Sequence, residues 1–483
     1  MSFFSTMSIA NQALLANKDA LSVRSRNLSN AFTEGYNRRI PVMSNFPSGD
    51  VALDRVERAF DEKFFKRYIK ANNQEQFYEN YRDMLKEIET VFNDANGTGF
   101  SKEIDEFFQS LNDVAANPDD LVARNSVVSK ANQLVGRIRN SYENLRDIKE
   151  RYNETIRRDI TEINNIARQL AEINKSLSDS EFSDVRKNAY LDERDRLIKK
   201  LSQYIDIQFV IHKNNTVDIT TVKGIPLVRG NNYEKLKFER DENGNPVIRA
   251  RNSDITRYIQ NGQIGGYLKG IKFLNETINN LNDFTATFAL ITNKVHSQGY
   301  DLNGNPGKNF FSIDPESSKT NIDASNIVVN IQKPEELAAA KDPANLNGDN
   351  SNIKRLIEIK DKIDGILSST EENNLKTTGL SFNGIDYKLS NSDSYSTIKS
   401  ETFHGFYSGN LISKIGFEIE DTEDMYQHVK TTLETIDAKL KEKTGVNVDE
   451  ELVYLLQLQK AYEAAAKVIS VTDELLDVLI KMA

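Results

Sequence analysis

The chain has 483 residues, 38% of them hydrophobic, which is enough to bury more than one core. Its 72 acidic residues outnumber 62 basic ones, giving a formal net charge of −10, and no lysine- and arginine-rich block marks a phosphate-binding surface. No segment approaches the roughly 18 to 20 consecutive apolar residues of a membrane span. Nucleic acid and membranes are therefore not expected as partners. The chain has no cysteine, which excludes disulfides and thiolate metal sites.

The first 23 residues do not read as a cleaved secretory signal. They lack a basic start, and polar residues such as Asn11, Asn17 and Asp19 interrupt the apolar positions. We therefore expect a protein that is exported, if at all, without a cleaved signal peptide. The absence of cysteine suits either a cytosolic protein or an export route that does not use oxidative folding.

Long helices are predicted between residues 60 and 201, because apolar residues recur there three and four apart. The first of these helices is expected to end in the segment 93–99. A shorter one follows and should stop at the Asn117-Pro118 step, since proline disfavours a helical residue before it. Between Asp120 and Leu177 there is no proline and only one glycine, Gly136, and a helix that is continuous over this segment would be about 85 Å long.

A β module is predicted where alternation replaces the helical spacing, at Tyr204. One hairpin should pair 205–211 with 217–221, and a second should pair 236–238 with 247–249 across an Asn-Gly turn. The module is expected to end near Asn261.

Helices are predicted again at Ile271–His296, Glu401–Ile419 and Thr422–Lys443. The region 312–400 is mixed in pattern and rich in Asn, Asp and Ser. Its inner part, 361–397, has no pattern from which a fold can be predicted.

The last segment, 445–483, has the clearest helical pattern of the chain. Asn447 is placed as a helix N-cap, with Glu450 three residues on to reach back to it. Behind this start, residues spaced three and four apart form a coiled-coil seam: Leu455, Leu458, Tyr462, Ala465, Ile469, Thr472, Leu476 and Leu479. Four more apolar residues widen the seam to a second packing face: Leu452, Leu456, Val468 and Leu475.

The first segment carries a seven-residue apolar repeat: Met7, Leu14, Leu21 and Leu28. Its many Asn and Ser residues are poor helix formers, so a helix here should be marginal on its own. Residues 1–40 carry a net charge of +3 and residues 445–483 a net charge of −4. The two ends can pair to close one globular fold, or they can contact neighbouring subunits as well.

No group of residues predicts catalysis, a cofactor or a metal ion. The four histidines lack a zinc-binding spacing, and no G-x-S-x-G nucleophile elbow occurs. The segment 301–305 imitates a calcium loop, but Pro306 stands where the loop needs glycine, so we interpret it as a turn. Asp192, Arg194 and Asp195 are expected to form structural ion pairs rather than an acid–base site.

Both ends resemble bacterial flagellar axial proteins. Ser25–Arg38 reads SRNLSNAFTEGYNR and resembles their motif S-x-N-I-x-N-x-N-T-x-G-Y-x-R, although Phe32 replaces the usual Asn and Glu34 the usual Pro. The segment 445–469 resembles the C-terminal signature of the same group. Rod, hook and hook-associated proteins share these motifs, so they indicate the superfamily rather than the member.

Three internal stretches are similar, in order and spacing, to the hook-associated protein 1 family. They are 191–197 (LDERDRL), 262–268 (GQIGGYL) and 296–305 (HSQGYDLNGN), the last followed by Phe310-Phe311. Rod and hook proteins are not expected to carry this set. The chain is short for the family, which implies a reduced outer domain.

The resemblance implies a non-enzymatic structural component of the flagellum, an adaptor at the hook–filament junction that filament assembly requires. Such a protein would be extracellular, would leave the cell by flagellar type III export and would need no cofactor. Its expected partners are further copies of itself, the hook protein, hook-associated protein 3 and an export chaperone on the C-terminal helix. The alternatives are another axial protein, such as a hook or distal rod protein, and a cytosolic coiled-coil scaffold or an enzyme.

The expected fold is mainly α with inserted β, in an elongated multi-domain chain. Paired terminal helices, 1–45 with 445–483, would form an inner assembly domain. A long-helix bundle would comprise 46–203, 262–311 and 401–444, with an outer β domain at 204–261 and a region of uncertain fold at 312–400.

The expected assembly interface lies on the two ends. On the N-terminal segment it comprises Met7, Leu14, Leu21, Leu28, Asn27, Asn30, Gly35, Tyr36 and Arg38. On the C-terminal segment it comprises Leu452, Leu455, Leu458, Tyr462, Ala465, Ile469, Leu476 and Leu479.

Overall fold

The computed structural model describes residues 3–46, 51–92, 100–178 and 183–482. Long α-helices dominate it, and small antiparallel sheets are inserted between them. The predicted fold class, mainly α with inserted β, is confirmed.

The helices account for most of the described chain. In chain order they are α1 (Phe3–Ser29), α2 (Glu62–Val91), α3 (Phe100–Ala116), α4 (Leu121–Ser178), α5 (Asp184–Tyr204), α6 (Gly262–His296), α7 (Ser351–Glu358), α8 (Ser369–Thr377), α9 (Ser394–Phe406), α10 (Lys414–Thr444) and α11 (Val448–Met482). A π-helical turn, Tyr407–Ser413, joins α9 to α10.

The strands form small sheets of two to four members, paired antiparallel. They are β1 (Arg39–Asn45), β2 (Val51–Arg58), β3 (Ile207–Ile211), β4 (Val217–Thr221), β5 (Pro226–Arg229), β6 (Asn232–Tyr233), β7 (Leu236–Arg240), β8 (Pro246–Ala250), β9 (Ser253–Asp254), β10 (Phe311–Ile313), β11 (Ile327–Val329), β12 (Leu380–Phe382) and β13 (Ile385–Tyr387). The sheets are β1-β2, β3-β4-β5-β6, β7-β8-β9, β10-β11 and β12-β13.

Several predicted elements are confirmed. Helix α4 is continuous over 58 residues, and α3 buries Ile104, Phe107, Leu111 and Val114 as its spacing predicts. Both predicted hairpins form, as β3-β4 and β7-β8. The predicted helix-ending segment 93–99 lies outside the described residues.

Helix α9 begins at Ser394 instead of the predicted Glu401, and two further predicted helix boundaries are wrong. Helix α6 begins at Gly262 instead of Ile271, although glycine disfavours helix. The packing there needs glycine: Gly262 has φ +73°, and a Cβ on it would lie 2.8 Å from the backbone nitrogen of Ile205. The predicted break between residues 419 and 422 is also wrong, because α10 is continuous there and Thr422 is buried. The helix is interrupted earlier, by the π-helical turn that precedes Lys414.

The β1-β2 hairpin was not predicted. Its strands pair from Arg39 with Arg58 to Asn45 with Val51, with a register shift after Val42. Apart from the buried Arg39, residues along both strands are half-buried or exposed in mixed order, so neither strand shows the regular alternation that identifies a half-buried strand.

The first of two compact units contains Met1–Glu79, Ile156–Gly266 and Met425–Ala483. Two asparagines of α4 fix its β sheets. The side chain of Asn174 accepts from the N–H of Val217 at 2.8 Å and donates to its carbonyl at 2.7 Å, and Asn164 does the same to Leu236 at 2.8 and 2.9 Å. A side-chain amide thereby satisfies the backbone N–H and carbonyl of one strand residue in each sheet.

The second unit contains Asn80–Thr155 and Tyr267–Asp424, and its core is aromatic. Phe288 is fully buried, with ring centroids 5.2 to 6.3 Å from several neighbours: Phe107, Phe108, Phe284, Phe311 and Phe403. Such edge-on and offset contacts add to the free energy that burial of each ring provides.

His296 ties the loops of the second unit together. Its Nε2 accepts from the N–H of Ala338 at 2.9 Å, so its Nδ1 carries the proton and donates to the carbonyl of Lys308 at 2.6 Å. Burial lowers the pKa of His296 to about 4. The ring is thus a neutral structural bridge.

The predicted turn at 301–305 is confirmed. The carboxylate of Asp301 accepts from the backbone N–H groups of Asn303 and Asn305 at 2.8 Å and from the Asn305 side-chain amide at 3.0 Å. Its oxygens are thereby occupied by N–H donors, as in an Asx turn.

Candidate assembly interface

Helices α1 and α11 pack against each other along their length. The least exposed positions of α11 follow the predicted seam, with the buried or half-buried series Glu451, Leu455, Leu458, Tyr462, Ala465, Ile469, Thr472 and Leu476. Spacings of four and three keep this series on one side of the helix. Two predicted interface residues, Leu452 and Leu479, lie outside it and are exposed.

The buried face of α1 is built from small side chains. Ala10, Ala16, Ala20 and Val23 are buried, and they let the partner backbone come close. The predicted repeat lies beside this face, with each member half-buried: Met7, Leu14, Leu21 and Leu28. The small residues therefore make the close contact with the partner helix, and the larger side chains of the repeat lie beside that contact.

A second face of the helix pair is apolar and exposed. On α11 it comprises Leu452, Val453, Leu456, Val468, Val471, Leu475, Val478, Leu479 and Met482. On α1 it comprises Phe3, Phe4 and Leu15. This is much more apolar surface than a single exposed leucine, and contiguous patches of this kind mark sites of protein association.

A buried ion pair joins the two helices at one end. Glu451 is 0% exposed, and its carboxylate accepts from Arg24 Nη1 at 2.9 Å and from Asn27 Nδ2 at 3.1 Å. The guanidinium of Arg24 also lies 4.3 Å from the ring centroid of Tyr454. A charge can be buried here because it has both an opposite charge and a hydrogen-bond donor.

Asn27 is the centre of this end of the interface. Its Oδ1 accepts from the backbone N–H of Arg39 and from the hydroxyl of Tyr36, each at 2.8 Å, while its Nδ2 also donates to the carbonyl of Arg39 at 2.8 Å. Burial raises the pKa of Tyr36, so its hydroxyl stays a donor. The motif residues Asn27 and Tyr36 therefore fix the chain between α1 and β1.

The turn after α1 carries the other predicted motif residues. Gly35 has φ +79°, a conformation that favours glycine, and Asn30 donates from its side chain to the carbonyl of Arg26 at 2.9 Å. Arg38 donates from its backbone to the carbonyl of Thr444 at 2.9 Å and pairs with Glu450 at 3.0 Å. Phe32, at the tip of the turn, is 96% exposed.

The predicted N-cap of α11 is confirmed in part. Asn447 Oδ1 accepts from the N–H groups of Asp449 at 3.0 Å and Glu450 at 3.2 Å. In the predicted capping box, the Glu450 carboxylate would accept from the backbone N–H of Asn447. That carboxylate instead pairs with Arg38.

A second ionic cluster links the β1-β2 hairpin to α5. Asp192 pairs with Arg39 and, at 3.2 Å, with Arg58, and Asp195 pairs with Arg58 at 2.7 Å and Arg194 at 2.8 Å. The prediction that Asp192, Arg194 and Asp195 form structural ion pairs is confirmed. The LDERDRL stretch thereby anchors the hairpin that follows α1.

Sequence reasoning missed the partners in these clusters. No partner for Glu451 was predicted, and Arg24, Arg39 and Arg58 were assigned no role. One signal was available: Glu451 is four residues before Leu455 and so continues the seam toward the helix start, where a charge needs a partner.

The described ranges contain no cluster of three or more His, Asp or Glu side chains arranged to hold a metal ion. Within the same ranges, no helix has both the length and the apolar character needed to cross a membrane.

Comparison with known proteins links this interface to the flagellum. A family model described as the flagellar hook-associated protein FlgK helical domain matches residues 85–311, and one described as the flagellar basal body rod FlgEFG protein C-terminal region matches residues 440–482. The second match contains the whole of α11.

Similar proteins carry the corresponding name. Flagellar hook-associated protein 1 of Bacillus subtilis (strain 168) is 24% identical, over 99% of this chain and 98% of that protein. The Salmonella typhimurium (strain LT2) protein of the same name is 28% identical, over 63% of this chain and 58% of that protein. A solved structure of the flagellar hook junction protein FlgK from Burkholderia pseudomallei aligns with 54% of this chain and 51% of that one, at 22% identity and a TM-score of 0.47.

The paired terminal helices and the family matches together define a flagellar axial protein. Within that class, the chain is similar to proteins named flagellar hook-associated protein 1 and to the FlgK helical domain.

Proposed function

We propose that this protein is a non-enzymatic structural adaptor at the hook–filament junction of the bacterial flagellum. The observation that supports this role is the α1–α11 pair, which buries one seam and leaves a second apolar face exposed. Burying a large apolar side chain contributes roughly 1.5 to 3 kcal/mol, so that face favours association over a solvated monomer.

The proposed partners are those that the resemblance to flagellar axial proteins implies. Further copies of the chain would pack through α1 and α11, with the residues 1–45 and 445–483 as the inner assembly domain. The hook protein and hook-associated protein 3 would be the axial neighbours. Before export, a cytosolic chaperone would cover the exposed face of α11, which otherwise promotes premature association.

The proposed location is extracellular, after type III export without a cleaved signal peptide. The long-helix regions 46–203, 262–311 and 401–444, together with the β domain at 204–261 and the region 312–400, would support the assembly domain. The chain would need no cofactor for this role.

Immunogold labelling of detached flagella from the source bacterium tests the location. We expect one band of label where hook meets filament, and loss of filaments but not hooks on deletion of the gene. Label along the hook or at the distal rod would instead support another axial protein, and label confined to the cytosol would support a scaffold.

Limited proteolysis tests the interface. We expect α1 and α11 to be cleaved readily in the monomer and protected in the assembled state. Equal protection in both states would contradict assembly through these helices.

A further inference from the structure

A groove in the first unit runs beside the turn that carries Phe32. It has a volume of about 690 Å³ and lies between this turn, the C-terminal half of α5 and the end of α10. Its apolar lining includes Phe60, Phe65, Tyr68, Leu440 and Val446. The exposed ring of Phe32 stands at its edge, so the groove and its rim offer apolar surface to an incoming side chain.

One cation in the groove lacks an anionic partner. The ammonium of Lys199 lies 4.5 Å from the ring centroid of Tyr68, and no carboxylate of the described residues forms an ion pair with it within 4 Å. Burial lowers the pKa of Lys199, and the nearby carboxylates of Asp437 and Asp195 offset only part of that effect.

The other basic side chains of the groove are already paired. Lys200 contacts Glu162 at 2.6 Å, Arg196 contacts Glu193 at 2.6 Å and Lys441 contacts Asp437 at 2.7 Å. Lys199 is thus the position at which an incoming carboxylate would gain most.

The last turns of α11 have the matching chemistry. Leu475, Val478, Leu479 and Ile480 are exposed, and Glu474 lies one turn before Val478 on the same side of the helix. Within the described ranges, no basic side chain forms an ion pair with Glu474. This segment therefore presents apolar side chains together with a free carboxylate.

The segment cannot reach the groove of its own chain. Val446, which lines the groove, precedes α11, and a helix rises about 1.5 Å per residue, so Leu475 lies roughly 40 Å further along the helix axis. The occupant must come from another molecule.

We propose that this groove receives the last turns of α11 from a second copy of the chain, with Glu474 of that copy paired to Lys199. Such a contact joins two different surfaces, head to tail, and repeats into a ring or a helix. The inference rests on the self-association proposed above and specifies one of its contacts.

Disulfide trapping tests the contact directly, since the chain has no native cysteine. Gln203→Cys in the groove and Val478→Cys on α11 are made in separate full-length chains and mixed under mild oxidation. We expect a disulfide-linked heterodimer. A matched control, Lys213→Cys on the β3-β4 turn mixed with Val478→Cys, should give little. Equal yields from the two mixtures would overturn the proposal.

Charge reversal tests the pairing. Lys199→Glu and Glu474→Lys should each weaken self-association of the full-length chain about tenfold, and the double variant should recover most of the loss. Sedimentation equilibrium gives the association constants, and circular dichroism verifies folding. Lys187→Glu, an exposed charge reversal on the same helix α5, serves as the control.

The outcomes separate this inference from the proposed function. If the wild type associates through α11 but both reversals associate normally, the groove is not the docking site and the adaptor role stands. If the wild type does not associate at any concentration while a hook-derived protein occupies the groove, both the self-association proposed above and this inference are wrong.

Discussion

The two compact units obtain their stability in different ways. The second unit buries a cluster of phenylalanines around Phe288, and the neutral ring of His296 bridges its loops. The first unit relies on ion pairs at Glu451 and Asp192 and leaves apolar surface on α11 exposed. An aromatic core is complete within its own unit, whereas an exposed apolar helix face is completed only by a partner. The second unit therefore has the features of a scaffold, whereas the first unit has those of an interface.

The largest expected effect comes from opening the aromatic core. Phe288→Ala removes a ring packed against five others, so we expect the free energy of unfolding of the second unit to fall by about 3 to 5 kcal/mol. Urea denaturation followed by tyrosine fluorescence measures it. Phe417→Ala is the matched control, since that ring is exposed and its loss should change stability by less than about 0.5 kcal/mol.

Removing the buried carboxylate of the helix pair should come next. Glu451→Ala leaves Arg24 without its counter-charge, and we expect the α1–α11 contact to weaken by about 3 kcal/mol. Hydrogen exchange of α1 amides reports the local opening. The adjacent Glu450→Ala removes only a surface pair with Arg38 and should cost no more than about 1 kcal/mol. Equal exchange rates in the two variants would show that Glu451 does not hold the pair.

The second unit should lose stability in acid through His296. Its pKa is about 4 in the folded chain against an ordinary 6.5, so the folded state resists protonation. The neutral ring contributes about 3 kcal/mol to the free energy of unfolding. This contribution is fully present above pH 6.5 and is lost as the pH falls toward 4. NMR of ring-labelled histidine, assigned by replacing His212, His404 and His428 in turn, should show His296 neutral at pH 5.5. A His296 ring protonated at that pH would contradict the bridge.

The first unit should respond in the opposite direction through Asp159. Burial raises the pKa of Asp159 to about 7, and its Oδ2 has no hydrogen-bond partner. The protonated carboxyl is compatible with burial. The stability that it contributes to the first unit is therefore present below about pH 4 and is lost as the pH rises through 7. Asp159→Asn should therefore raise stability by about 2 kcal/mol at pH 8 and leave it nearly unchanged at pH 4. Thermal unfolding at the two pH values measures the difference.

Local patterns predicted much of this fold. The apolar spacing of α3, α4 and α11 and the turn residues of the β3-β4 and β7-β8 hairpins act within a few residues, so each could be inferred where it stands. The seam of α11 was predicted for the same reason. The predicted interface residues remain a prediction, because their role depends on neighbouring molecules.

Other features depended on contacts between distant segments. Helix α6 begins nine residues before its predicted start because Gly262 packs against the backbone of Ile205, a contact that spacing along the chain does not encode. The β1-β2 hairpin is positioned by α5, through Arg39, Arg58 and Asp192.

The sequence by itself determined the helical class of this protein, the seam of α11 and the flagellar axial motifs at both ends. Only the tertiary structure decided which residues close the helix pair: it placed Glu451 in one buried contact with Arg24 and Asn27, more than 400 residues away along the chain. The physical reason is that a helix or turn is specified by neighbours along the chain, whereas a buried charge is tolerated only where folding brings its partner to it.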